Sequence, residues 1–250
     1  MVLFTEELKK VLKRKDARLL LLLSLWPLLF SFIVRISPGV LNYKETLSAL
    51  GFLNQQIFVH SGILVPLILM IYMASISFYQ EISEKQIYLY KDIPRTKILN
   101  GKYFSIYTVY FLFLASFIII SLLSYFLVFQ GADIASGTFV LSKEEWIPIL
   151  FDTFQLILVF VFYIHIGLSL SLRMPAGAAV FGTLFLYIFI KTTPDISWAK
   201  YLTPAGFRQI IDFGGNNLLL TLLVSLLVWL LYNIPMYLLN KNYINKIDFN

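Results

Sequence analysis

Six stretches of this sequence run for most of a membrane helix with scarcely a charge. They are Leu19 to Val34, Ile57 to Gln80, Tyr103 to Gln130, Ile147 to Leu172, Ala176 to Ile190 and Leu218 to Leu239, and only Asp152 interrupts the fourth. Crossing a bilayer takes about 20 mostly apolar residues in a helix. Within lipid a helix satisfies its own backbone groups, whereas a lone strand cannot. No ten-residue alternation of apolar and polar residues suggests a barrel. The expected fold is therefore an all-α polytopic membrane protein with six transmembrane helices in one domain, 1–250.

Composition agrees. Hydrophobic residues make up 59% of the chain and charged residues 14%, against about 25% charged in a soluble domain. A water-soluble fold of this size has nowhere to hide so much apolar surface, which excludes a soluble enzyme. There are no cysteines, so disulfides, thiolate metal sites and cysteine nucleophiles are excluded.

The net charge of +6 is a topology signal before it is anything else. Lysines and arginines before the first span, between spans 2 and 3, between spans 4 and 5 and after span 6 account for 14 of the 20. Those segments share one side, so both termini are expected in the cytoplasm and no nucleic-acid partner is implied. The basic N-terminus followed by Leu19 to Leu23 resembles a secretion signal. No small-x-small cleavage site follows, so it is read as an uncleaved first span.

Three segments stand out between the spans. In 1–18, Leu3, Phe4, Leu8, Val11 and Leu12 fall on one helical face with lysines elsewhere, the pattern of a helix lying in the membrane interface. Thr5-Glu6-Glu7 reads as its start. Segment 81–102, EISEKQIYLYKDIPRTKILNGK, is the sizeable charged cytoplasmic loop. Ile87, Tyr88 and Leu89 between charges suggest a short helix, Pro94 a stop, and Gly101 a second break before span 3. Segment 191–217 is broken by Pro194, Pro204, Gly206 and Gly214-Gly215. It holds Trp198, Tyr201, Phe207, Ile210 and Phe213, so a hairpin partly immersed in the outer leaflet is expected.

Chemistry is sparse. The nearest approach to a phosphate-binding loop is Asn100-Gly101-Lys102-Tyr103, which lacks the upstream glycine and the hydroxyl residue. No ATP hydrolysis, catalytic residue, metal or cofactor is expected in this chain. Glu144-Glu145, beside Lys143, reads as a solvated surface. Ionisable groups inside spans are the functional candidates: His165, and Asp152 near the end of span 4, for which Lys191 is a candidate partner. His60, at the edge of span 2, reads as wet. Asn233 and Pro235 read as a kink in span 6. Small residues four apart, Gly167 with Ser171 and Ala178 with Gly182, suggest close helix contacts. Aromatics and methionines such as Met70, Met73, Phe181 and Phe185 suit lipid or an apolar ligand.

Six spans, an interfacial N-terminal helix and a charged loop after span 2 together resemble the ABC-2 type exporter permeases. The loop carries the sharpest likeness: Glu81 closing span 2, a coupling stretch Glu84 to Lys91, Pro94 with Arg95-Thr96-Lys97, and Gly101-Lys102 opening span 3. Lys85-Gln86 stand where the family often has Gly-Thr. Tyr201-Leu202-Thr203-Pro204 is similar to the family's extracellular region.

The resemblance implies a multi-pass permease of a bacterial cell membrane that acts in efflux as a dimer, with itself or a sister permease. A separate ATPase subunit, holding ATP and magnesium, would drive it. Glu81, Glu84, Lys85, Tyr88, Lys91, Asp92, Pro94 and Arg95 would couple to that subunit. A pathway near spans 2 and 5, with Met70, Met73, Phe181 and Phe185 as candidates, would carry a drug, antimicrobial peptide or lipid-like molecule. An ATP-independent ion-coupled carrier or channel is the alternative, and an intramembrane enzyme the remote one.

Overall fold

The computed structural model describes residues 2–37, 46–85, 92–141, 146–196, 198–207 and 218–246. Among these there is no strand; Leu47 and Ala135 form one isolated bridge. The helices are α1 (Val2–Leu12), α2 (Lys15–Leu22), α3 (Trp26–Ile36), α4 (Ala49–Gly62), α5 (Val65–Ser75), α6 (Glu81–Ser83), α7 (Arg95–Leu127), α8 (Trp146–Ser171), α9 (Ala176–Thr192) and α10 (Leu218–Lys246). Among the described residues, six helical segments are long and apolar enough to cross a membrane, which makes this a multi-pass membrane protein.

Span 1 is α2 and α3 joined by a 3-10 turn at Leu23–Leu25. Pro27 sits in the first turn of α3, where its missing N–H removes no hydrogen bond. Span 2 differs from the expected single run. A separate helix, α4, begins eight residues earlier, at Ala49, where the Ser48 hydroxyl accepts from the Gly51 amide at 3.1 Å. The chain breaks at Ile63 and Leu64, ahead of Pro66, and the segment long enough to span runs from Val65 to Ser83. A π turn at Ile76–Gln80 leads into α6.

Span 3 starts early. Pro94 caps α7, which begins at Arg95; the short helix expected around Ile87 to Leu89 lies outside the described residues. Gly101 is not a second break, however. It lies inside α7, where an added Cβ would sit 3.4 Å from Leu3, so it is the seat on which α1 rests. The Ser105 hydroxyl donates to the Phe4 carbonyl at 3.3 Å and to its own helix at Gly101. Likewise α1 already runs from Val2, so Thr5-Glu6-Glu7 is helix interior rather than a cap, and Glu7 is buried.

In lipid the hydrophobic effect does not drive helices together; close contact and polar bonds do. The centre of the bundle shows both. Gly167 of α8 faces Ile71 of α5, and an added Cβ would come within 2.5 Å of it. The Ser75 hydroxyl bonds to that of Ser171 at 2.9 Å. The small pair on α9 behaves differently: Ala178 is exposed and the neighbouring Ala179 is buried. In α10, Pro235 is accommodated inside the helix, and Asn233 donates to the Trp229 carbonyl at 2.7 Å.

Candidate functional site

At the end of the bundle that carries the termini, α1, α6 and α7 meet at four charges. The Lys102 side chain is 1% exposed, and its ammonium donates to Glu7 Oε2 at 3.1 Å and to Glu81 Oε2 at 2.6 Å. Lys10 pairs with the other Glu81 oxygen. Glu7, Glu81 and Lys102 are buried, while Lys10 is half exposed and closes the group on its outer side. A charge buried this deeply is costly unless paired and hydrogen-bonded. Each of the three elements therefore needs the other two to stay in place.

The loop residues divide around this cluster. Glu81 is inside it rather than on the surface. Glu84 is exposed and accepts from Gln80 Nε2 at 2.6 Å. Lys85 has φ 60°, the left-handed conformation that glycine favours. Asp92 and Pro94 are exposed. Arg95 donates to the Asn245 carbonyl, fastening the start of α7 to the end of α10. Tyr88 and Lys91 lie outside the described residues, as do Glu144 and Glu145.

Deeper in the bundle, His165 Nδ1 and the Tyr107 hydroxyl are 2.8 Å apart, and the Tyr103 ring meets the imidazole edge-on with centroids 5.6 Å apart. The contact continues toward the termini. Asn240 Nδ2 donates at 2.7 Å to both the Tyr103 hydroxyl and Ser169 Oγ. Arg173 donates to Asn240 Oδ1 at 2.6 Å. Asp152 accepts from Asn54 Nδ2 at 2.8 Å, which joins α8 to α4. Lys191, proposed as its partner, lies 5.5 Å over the Tyr187 ring.

His60 is not wet. It is 4% exposed, boxed by Phe113, Phe117 and Phe160 with centroids between 4.7 and 5.4 Å. The four candidate pathway residues are not brought together within one chain. Met70 and Met73 are core residues at 1% and 0% exposure, while Phe181 and Phe185 stand out at 74% and 63%.

Sequence reasoning missed Glu7, Lys102, Tyr103, Tyr107, Arg173 and Asn240. One local signal existed: His165 and Ser169 are four apart and share a face of α8, pointing to a polar stripe. Among the described residues, no group of three or more His, Cys, Asp or Glu side chains could hold a metal ion. Comparison with family models, curated proteins and solved structures gives no match to this chain.

Proposed function

We propose that this chain is the membrane-spanning permease subunit of an ATP-driven exporter. It works as a dimer with a separate ATPase subunit that holds ATP and magnesium, and moves a hydrophobic or amphipathic cargo across a bacterial cell membrane, with both termini in the cytoplasm. The observation that carries the reading is the ion cluster of Glu7, Lys10, Glu81 and Lys102. A push on the charged loop after span 2 reaches Glu81, and through Lys102 it reaches α1 and span 3 together. Such a joint suits a machine whose motive force arrives from outside the membrane at that loop.

Two further features support it. The left-handed backbone at Lys85 falls where the resembling permeases often have glycine. The exposed Glu84 and Asp92, beside the anchored Arg95, offer a charged docking face at the same end. In this reading the loop surface binds the ATPase, and Glu81 transmits rather than touches.

The test is co-expression with a P-loop ATPase encoded beside this gene. Recovery of a complex supports the reading. Asp92→Ala with Arg95→Ala is expected to weaken that complex. Glu81→Gln is expected to keep it while uncoupling hydrolysis from transport. Failure of any such ATPase to associate, or normal transport by Glu81→Gln, would sink it.

A further inference from the structure

Between the start of span 1 and the flank of span 2 lies an open groove of about 480 Å³, at the end of the bundle that carries the termini. Its rim is the elbow where α1 turns into α2, and it is formed there by Arg14, Lys15 and Asp16. Leu19 lies one turn further along α2, about 6 Å from Lys15 along the axis. The facing wall belongs to span 2, which runs toward the rim, so Ile76 stands nearest to that end, then Tyr72, then Leu69. Leu19 and Tyr72 are nearly half exposed, and Lys15 is exposed. The groove is therefore an outer surface on the side of the bundle, open to whatever surrounds it.

The charge at the rim is one-sided. Asp16 is spent: both its oxygens accept from Arg14, and one also accepts from the Ala17 amide. That pair is neutral. Lys15 makes no ion pair among the described residues. Neither does Arg18, which is exposed and neighbours both Arg14 and Lys15 on the surface of α2, four and three positions on. Neither does the exposed Lys13 in the turn before α2. Unpaired cations stand over an apolar wall that continues into a membrane span. Basic pockets at a membrane face take acidic lipid heads, and lysine and arginine can lay their stems on apolar surface while the charge reaches the interface.

We propose that this groove holds one anionic phospholipid. Its phosphate pairs with Lys15 and Arg18, and an acyl chain lies over Leu19, Ile76, Tyr72 and Leu69. A zwitterionic lipid fills the groove equally well, but it brings its own cation to the head and forgoes the pairing. A soluble acidic peptide reaches the cations but has nothing to lay on the wall below them. The bound lipid clasps the elbow between span 1 and α1, the helix that supplies Glu7 and Lys10 to the ion cluster. The site stands independently of ATP-driven export, because it needs neither the ATPase nor the loop after span 2.

The test uses the full chain in phosphatidylcholine nanodiscs doped with a phosphatidylglycerol whose acyl chain carries a diazirine, at a level that leaves the site partly filled. Photo-cross-links are expected in the peptides holding 14–19 and 69–76, and several-fold fewer there when the same diazirine chain is carried by phosphatidylcholine. Lys15→Gln and Arg18→Gln are each expected to weaken phosphatidylglycerol labelling of those peptides about fivefold, the worth of one basic residue at a membrane surface. Lys241→Gln removes the same charge at the same end, from α10, and should change nothing. Leu19→Trp, whose bulk enters the groove from its exposed side, should abolish labelling of 69–76 by either lipid while leaving the melting temperature near that of the parent. Equal labelling of the groove by the two lipids, or by the parent and the double variant of Lys15→Gln with Arg18→Gln, overturns the proposal. Either result leaves the exporter reading where it was.

Discussion

Lys102 is the residue on which the terminal end of the bundle turns. Replacing it with Met removes the cation that Glu7 and Glu81 share in the buried group, with Glu81 still paired to the half-exposed Lys10. Breaking a buried pair by removing one partner costs about 3–5 kcal/mol, so K102M should lower the melting temperature of the purified protein sharply. Lys102→Arg keeps the charge and should recover part of the loss; equal damage from both variants would argue that volume, not charge, is what the site needs. A milder effect is expected at His165. His165→Phe removes the 2.8 Å bond to Tyr107. Interhelical bonds in membranes are worth about 0.6 kcal/mol on average, so stability should barely move. A large loss of proton-dependent transport in that variant would instead favour the ion-coupled carrier. None of these partnerships was legible in the sequence. Glu7 and Lys102 are 95 positions apart, and local periodicity says nothing about which charge meets which. What the sequence did reveal was His165 as a polar group within a span, because a lone ionisable residue in an apolar run is visible without its partner.

At the scale of elements, charge-free length was a good guide and punctuation an uneven one. Pro94 marks a boundary, as the cap from which α7 starts at Arg95. Gly101 does not, because glycine merely permits a break, and here the space it leaves is taken by Leu3 of α1. Span 2 was misplaced because Ile57 to Gln80 reads as one charge-free run, whereas the helix breaks at Ile63 and Leu64 and the spanning segment starts at Val65. The polar residues of α4 are held by the bundle: Asn54 bonds to Asp152 and Thr153 and Gln56 is fully buried. Helix crossings decide which small residues matter. Gly167→Val would thrust side-chain atoms into Ile71, and overpacking of this kind costs typically about 1–3 kcal/mol. Ser75→Ala loses only the bond to Ser171. The expected order of unfolding midpoints in detergent is therefore parent, then Ser75→Ala close behind, then Gly167→Val well below. Ile71→Ala should rescue Gly167→Val in part, and its failure to do so would place the clash elsewhere. Gly182→Val should be gentler, since the flexible Leu170 side chain is what stands 3.1 Å away.

Across the whole molecule, two end-faces and the apolar flank of α9 have to be assigned. The absence of cysteine makes this direct, because any introduced thiol is the only one. The excess of lysine and arginine at one end predicts that end to be cytoplasmic. Asp92→Cys should then resist a membrane-impermeant maleimide in intact cells and react after permeabilisation. Trp198→Cys, exposed at the other end, should react in both. The reverse pattern would invert the protein and remove the loop after span 2 from any cytoplasmic ATPase. The flank is set by α9, where Phe181, Phe185, Ile188 and Phe189 are all more than half exposed. Alone, such a stripe is what lipid wants. In a dimer whose pathway runs between protomers, it would instead face the second copy, bringing Phe181 and Phe185 to a shared surface that one chain cannot form by itself. Phe185→Cys separates the two. If the flank is an interface, the variant should form a disulfide-linked dimer on mild oxidation in native membranes. Leu227→Cys, equally exposed but on α10, should stay monomeric. Dimer formation at Leu227 and not at Phe185 would move the interface to α10 and leave the α9 stripe to lipid.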